Sequence, residues 1–550
     1  MNHAPTVPDV DYWHRALDGF AVMVANEAER GRDRETSADT PPAFKPYRSL
    51  PRHRLPRPMP AMLGDARPPL AGSRTRSGAA EAQATPRLDA DRLATLLHYA
   101  YGVSRQELGP AARWAYHRYV PSARCLFPTE LYVWLPAVRP YPPGVYYYDP
   151  AHHRLVLVRG GDLRTHIAAA TLPVDAECVL LLSSLFWKTA FRYGDYAYRL
   201  CTQEVGLVAG NALMVAGALG LRGRLRHQFP DDAVESLLGI DWHDEAAMMA
   251  VPLFRQADVS RTALPDGVPP GTSHAGDTCV GRTLHPGNPG NPGNPGNPGN
   301  PGNPGNPGNP GNPGIAAVHE RTRLGDTARF GRMGAARPPA PQTPADDDRT
   351  VSLPDALRRR QSGPSLLGLI REPISLRRMR RVLGHALDPH PSDAVPDGGP
   401  PPIDLHLAVI DVEDVPSGLY RFHPDGALEC RRPEPPGVPL QRLLHEAGVG
   451  IALNCRTANF VAYLVGDLDA AVRGFGGRAE RILSQEAGVV AQRICVLGAA
   501  EELTARIHNG YPADRVREFL GLRRGRQAPL FQIVVGRSRP TARYQPPVVW

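Results

Sequence analysis

The stretch FRYGDYAYRLCTQEVG, residues 191–206, returns far downstream as GFGGRAERILSQEAG, residues 474–488. At a constant offset of 282, Gly194 meets Gly476, Ala197 meets Ala479 and Arg199 meets Arg481. The match continues through Gln203/Gln485, Glu204/Glu486 and Gly206/Gly488, then Arg224/Arg506, Pro230/Pro512, Asp232/Asp514, Val234/Val516, Leu238/Leu520 and Gly239/Gly521. At an offset of 274, YPPGVYYY (141–148) meets VPSGLYRF (415–422), and Pro128-Thr129-Glu130 meets Pro402-Ile403-Asp404. At 286, LDADRLATLLHYA (88–100) meets ISLRRMRRVLGHA (374–386). Three blocks in the same order read as an internal duplication. The pair at the front of the first copy, Arg192-Tyr193, is Gly474-Phe475 in the second.

Each copy repeats one pattern of elements. An amphipathic helix with Leu93, Leu96, Leu97 and Ala100 on one face starts after Asp89, a suitable N-cap. The strand TELYVWL, a hairpin at P-P-G or P-S-G, and a buried strand such as ECVLLLS follow. A long helix from about Tyr196 to Leu219 comes next, with small residues that allow close helix contact. A short helix (DDAVESLL or ADRVREFL) and a last strand, APLFQIVVG in the second copy, complete the unit. Helices gathered on a sheet make each copy an α+β domain.

Nine Asn-Pro-Gly triplets, Asn288 to Gly314, separate the copies. Proline fixes φ and lacks an amide donor, so the tract is expected to be a solvated spacer. The expected boundaries are a lead-in at 1–60, a first domain at 61–258, a disordered linker at 259–350 and a second, partly degenerate domain at 351–550.

Bulk composition narrows the class. The chain has 550 residues, more than one core would hold. Its net charge of +8 rests on arginine, since Lys45 and Lys188 are the only lysines. Clusters at 358–361 and 377–381 read as solvated helix faces or anion grips, not a nucleic-acid footprint. Seven cysteines without a C-x-x-C spacing exclude a zinc ribbon and a disulfide framework, and no metal is expected. Neither a spanning apolar run nor a secretory signal is evident, so a cytoplasmic address is expected.

AFKPYRSLPRHRLP (43–56), PSARCLFPTELYVWL (121–135), PPGVYYYDP (142–150), FRYGDYAYRLCTQEVG and HNGYPADRVREFLGL (508–522) together resemble the flavin-dependent nitroreductase superfamily. The resemblance is to its SagB-type branch, which oxidises azoline rings to azoles in ribosomal peptides. It covers about 1–255 and 350–550 and implies a nitroreductase-like fold, duplicated here as an intrachain pseudo-dimer. It also implies FMN at the interface of the two copies, one giving basic residues for the phosphate and the other the P-S-x-x-x-x-x-P loop. Here that loop contains Ser122, Ala123 and Arg124; the aligned VPDGGPPP (395–402) keeps only the final proline. Phosphate candidates are Arg358, Arg359, Arg360 and Ser362 with Arg537 and Arg539, or Arg74, Arg76 and Ser77 if the copies exchange roles. Arginine suits a phosphate because its forked donors match the oxygens.

The branch carries a Lys-Tyr pair before a glycine for proton handling, where this chain has Arg192-Tyr193-Gly194. Arginine is a very poor base, which leaves Tyr193 with Arg192 or Lys188 as the cation lowering its phenol pKa. The second copy's Phe475 keeps the ring and drops the hydroxyl. Glu204 and Glu486, present in both copies, read as interface residues.

Three functions fit these residues. One is an FMN-dependent peptide dehydrogenase working on a precursor peptide beside a cyclodehydratase. The second is an NAD(P)H-dependent nitro or flavin reductase on a small-molecule substrate, and the third a non-catalytic scaffold. Neither nucleic acid nor membrane is expected as a partner, and further association of whole chains is left open.

Overall fold

The computed structural model describes residues 41–47, 49–64, 87–109, 112, 115–255, 313–333, 352–363, 368–396, 399–446, 453–523, 526–539, 545–548 and 550. The first half runs β1 (Arg52–Arg54), α1 (Ala90–Tyr101), β2 (Val103–Gln106), β3 (Tyr116–Arg118), β4 (Thr129–Leu135), β5 (Gly144–Asp149), β6 (Arg154–Gly160), α2 (Arg164–Ala169), β7 (Cys178–Leu185), α3 (Trp187–Tyr193), α4 (Ala197–Ala218), β8 (Leu221–Gly223), α5 (Asp231–Leu238) and β9 (Glu245–Arg255). Helix α6 (Pro313–Thr322) begins within the last triplet of the tract. The second half runs α7 (Leu353–Arg359), β10 (Leu369–Ile370), β11 (Ile374–Ser375), α8 (Leu376–Leu383), β12 (Ile403–Val409), β13 (Val412–Glu413), β14 (Gly418–Phe422), β15 (Leu428–Arg432), α9 (Gly437–Glu446), β16 (Phe460–Asp467), α10 (Leu468–Phe475), α11 (Ala479–Ala500), β17 (Thr504–Ile507), α12 (Ala513–Leu520) and β18 (Gln527–Ser538).

The two sheets share one plan. The first has the order β1-β6-β5-β4-β7-β9-β8; the second reads β15-β14-β12-β16-β18, with β17 and β10 also on β18. Register agrees too: Tyr132 faces Leu181, and their repeat partners His406 and Tyr463 face each other. A bulge falls between Leu182 and Ser183 in one sheet and between Leu464 and Val465 in the other. Local chemistry explains the ends. The Asp89 carboxylate accepts from the Arg92 amide at 2.8 Å to cap α1. Gly239 and Gly521 close α5 and α12 with a left-handed φ of 65°.

Helices α4 and α11 are almost wholly buried because each packs on its own sheet and on the other. They cross at Gly206 and Gly488, where an added Cβ would lie 2.8 Å from the Gln485 Cα and 2.5 Å from the Gln203 oxygen. Around the crossing the repeated side chains reach over reciprocally. Arg199 donates to the carbonyls of Pro529 and Leu530 (2.9 and 3.2 Å), and Gln203 to Leu530 (2.7 Å). Arg481 donates to Ala247 and Met248 (2.7 and 2.8 Å), and Gln485 to Met248 (2.9 Å). Donors and acceptors are all related by the same offset of 282, so the halves meet in an isologous, pseudo-twofold contact.

One group inside this contact opposes folding at high pH. Glu480 is buried, its Oε2 lacks a partner, and burial lifts its pKa to about 8 although Arg199 pulls it down. Because the folded value lies above the unfolded one, the folded chain keeps a proton that the unfolded chain has released, and stability falls as pH rises between them. Glu480→Gln is expected to stabilise the protein by about 2 kcal/mol at pH 8 and by little near pH 5, measured as urea midpoints at the two pH values.

Three expectations need correction. Helix α7, assigned to the second half, buries Leu353, Ala356 and Leu357 in the first half's core. Residues 313–333, assigned to a disordered linker, form α6 and a segment packed on both halves. The 358–361 cluster is a solvated face only in part: Arg358, Arg359 and Gln361 are exposed, whereas Arg360 is buried at 4% exposure. Most of the triplet tract, and Arg74, Arg76 and Ser77, lie outside the described residues. No helix among the described residues is long and apolar enough to cross a membrane.

Candidate functional site

The loop 121–128 is built by backbone few residues adopt. Arg124, Cys125 and Phe127 have φ of 51°, 54° and 49°, a left-handed conformation that costs energy without glycine. Ser122 holds the loop, its Oγ accepting from the Phe127 amide at 2.9 Å while its hydroxyl donates to Glu204. Burial raises the Glu204 pKa, and Ser122, Tyr101 and Arg118 partly offset that. Ala123 opens the short turn 123–125.

At the end of α3 the chain reverses on Gly194, φ 53°, and this carries Tyr193 to the loop. The Arg124 guanidinium lies 5.9 Å from the centroid of the Tyr193 ring. Gly476 repeats the turn at φ 54° and presents Phe475, which is buried in the second core.

Arg124 is a cation against Tyr193 that the sequence did not point to. Arg192 lies over the Phe191 ring at 4.9 Å. Lys188 is buried, bonded to Glu130 at 2.6 Å and directed at the carbonyls of Phe127 and Ala43. Burial lowers its pKa against the pull of Glu130. Lys45 forms the companion ion pair with Glu245, whose Oε1 accepts from Tyr132 (2.8 Å) and Ser183 (2.6 Å). Burial would lower the Lys45 pKa, but Glu245 and Tyr47 hold it above its ordinary value. Both lysines thus anchor the lead-in and the loop, a compact ammonium fitting where a guanidinium would be too large.

The second half supplies the opposite wall. Arg358 donates to the Tyr99 hydroxyl at 2.9 Å, and Arg360 to the Arg118 carbonyl at 3.0 Å. Two residues on, Ser362 lines a small pocket, about 10 Å³, with Gly363, Asn454, Arg506 and Ser538 of the second half. Asn509 also joins the halves, its side-chain amide donating to Gln203 at 2.6 Å and its backbone carbonyl accepting from the Tyr196 hydroxyl at 3.0 Å. Contacts across the halves at this junction therefore include Tyr196 and Gln203 with Asn509, Arg358 with Tyr99, and Arg360 with Arg118.

Of the described phosphate candidates, Ser362 lines this pocket and Arg358 and Arg360 stand on the adjoining wall. Arg537 is ion-paired with Glu372 at the surface, and Arg539 meets Gly368 through its backbone amide. Reading the sequence missed Arg506 and Ser538, although the repeated pair Arg224/Arg506 was the available signal. Two hydroxyls and a guanidinium lining one cavity suit an anionic phosphate. Arg360, nearby in the chain and buried, keeps Nε and Nη1 without partners, which also suits an anion. The donor types present therefore suit the phosphate of FMN.

Asp231, Glu235 and His319 bring three potential metal ligands within 4.8 Å of one another. Arg478 and Arg481 hold Asp231, lowering its pKa to about 2 against burial, and Arg323 holds Glu235. Both carboxylates are already neutralised, so the trio reads as an ion-pair network.

Comparisons with known proteins agree with this architecture. Residues 82–253 match the Nitroreductase family. The chain is 31% identical over 170 residues to the "Putative nitroreductase MJ1384" of Methanocaldococcus jannaschii, covering 30% of this chain and 80% of that one. It is 29% identical over 181 residues to the trifolitoxin-processing protein TfxB of Rhizobium leguminosarum bv. trifolii, covering 30% of this chain and 48% of that one. A crystal structure described as a "putative nitroreductase" from Anabaena variabilis ATCC 29413 aligns over 94% of this chain and 99% of its own, with TM-score 0.67 and 21% identity. That likeness concerns the fold, and it spans both halves. The chain belongs to the nitroreductase family, whose members are generally flavin-dependent oxidoreductases.

Proposed function

We propose that this chain is an FMN-dependent dehydrogenase that oxidises azoline rings to azoles in a ribosomally made peptide. In this reading residues 61–258 and 351–550 are tandem nitroreductase-like domains with one cofactor position per chain. Its place is the junction between the first-half loop and residues 358–363. The observation that carries the proposal is the turn at Gly194, which stands Tyr193 beside Arg124 of the loop, whereas the second half has Phe475. The likeness to a protein named for trifolitoxin processing supports a peptide as substrate. A precursor peptide and a cyclodehydratase that makes its azolines are then the partners.

When bound, FMN supplies the hydride acceptor. Ser362, Arg506 and Ser538 would hold its phosphate. The Tyr193 hydroxyl takes the ring proton, and the Arg124 cation facing its ring favours the phenolate.

Reconstituted protein is expected to hold one flavin per chain and to remove two hydrogens per ring from an azoline peptide, read by mass spectrometry. Tyr193→Phe should lower turnover about a hundredfold at unchanged flavin content. Unchanged turnover would remove Tyr193 from the reaction. Bleaching of the flavin by NADPH without azoline turnover would mark a small-molecule reductase instead.

A further inference from the structure

The second junction of the halves has an occupant. After α6 the chain runs through Leu324 to Met333 between the halves, held largely by its backbone. The Leu324 amide donates to Asp231 at 2.7 Å and its carbonyl accepts from the Asp231 amide at 2.9 Å. The Thr322 carbonyl accepts from Arg478 of the second half at 3.0 Å. Gly331 forms a paired contact with the Gln228 side chain, its amide donating at 2.7 Å and its carbonyl accepting at 2.9 Å. The Met333 amide donates to the Ala394 carbonyl at 3.2 Å. Side chains seat the helical end: His319, fully buried, lies among the rings of Phe186, Tyr198 and Trp242.

The repeat offsets identify the place. Gln228, Gly474 and Ala394 are the counterparts of Gly510, Arg192 and Val120, which border the candidate site at the first junction. Residues 331–333 thus lie where the pseudo-twofold relation puts the counterpart of that site. Glycine at 474 is what lets them pass, since a Cβ there would lie 2.8 Å from the Arg332 carbonyl oxygen. An arginine like Arg192 cannot coexist with this segment. The exchange of Arg192 for Gly474 is then a fitting of the second copy to its strap.

We propose that the second junction is a cleft for a largely extended peptide backbone, occupied in cis by the segment that follows α6, residues 323–333, which closes this copy of the site. The inference rests on the tandem-copy reading above but not on the reaction assigned to it.

The test uses the full chain with residues 313–333 replaced by a Gly/Ser segment of equal length, and a fluorescently labelled synthetic peptide of residues 313–333. Saturable binding to the replaced chain, at least tenfold weaker to the intact chain and to a replaced chain carrying Gln228→Ala, is expected in fluorescence anisotropy. Equal binding to intact and replaced chains, or none to a folded replaced chain, would overturn the proposal. Should the replaced chain fail to fold, hydrogen exchange on the unaltered protein decides. The Leu324, Gly331 and Met333 amides are expected to be protected at least a hundredfold over an unstructured peptide, and unprotected amides would overturn it. Neither readout involves flavin or turnover, so failure here and failure of the dehydrogenase reading are separable.

Discussion

Gly206→Val is expected to separate the two halves of the molecule, at a cost of more than about 4 kcal/mol. Gly206 sits where α4 crosses α11, and an added Cβ would come within 2.8 Å of the Gln485 Cα, which is backbone and has no free rotamer to yield. Relief requires the helices to move apart. That movement strains the hooks of Arg199 and Gln203 onto 529–530 and of Arg481 and Gln485 onto 247–248 together, because all four arise next to the crossing. Gly488→Val should act alike, since its Cβ would lie 2.5 Å from the Gln203 oxygen. Gly160→Ala is the control, meeting only the Leu157 methyl at 3.5 Å, with an expected change within about 1 kcal/mol. Urea unfolding reads the cost, and a larger hydrodynamic radius under native conditions reads the separation. A loss below about 1 kcal/mol for Gly206→Val would mean that the crossing is not what fixes the halves.

The residues that make this crossing were also the ones that could be read without a structure. A pseudo-twofold contact needs every donor and acceptor twice, so Arg199/Arg481 and Gln203/Gln485 appear in sequence as repeated words. Glu204 and Glu486 share that place but not their partners. Glu204 accepts from Tyr101, whereas Glu486 accepts from His227 of the other half and from His390 and Ser392. Strands and helices were legible for the same reason that they form, since burial on one face leaves a period in the sequence. What the repeat cannot reveal is the part of each half that differs. Arg506 and Ser538 acquire their place through a cavity shared with Ser362, and no local pattern marks that meeting. The strap was hidden by its own mode of binding. Beyond α6 it is held largely through backbone groups, and backbone carries no residue signature. Arg124 went unforeseen beside Tyr193 because it reaches the ring from a loop some seventy residues earlier.

Lys188→Met is expected to destabilise the protein by about 3–5 kcal/mol, and the reason lies in its partner. Glu130 is 1% exposed and takes both the Lys188 ammonium at 2.6 Å and the Tyr147 hydroxyl at 2.9 Å. With methionine in place of the lysine, the carboxylate stays buried with one neutral donor, and its desolvation is no longer offset. The carbonyls of Phe127 and Ala43 lose the same cation, so the 121–128 loop and the lead-in should loosen together. Adding Glu130→Gln removes the stranded charge and should recover more than half of the loss, which a double-mutant cycle would report as a coupling of about 2–3 kcal/mol. Lys188→Arg preserves charge but asks the site to house a planar fork, and a cost of about 2 kcal/mol is expected. The second half is an internal comparison. There Ala470 replaces the lysine, and Asp404, the counterpart of Glu130, is half-buried and paired with Arg421 at 2.7 Å. Asp404→Asn should therefore change stability by less than about 1 kcal/mol, because that pair is open to solvent. If Lys188→Met proves as mild as Asp404→Asn, the buried pair is not what anchors the loop, and Tyr193 would be held by the turn at Gly194 alone.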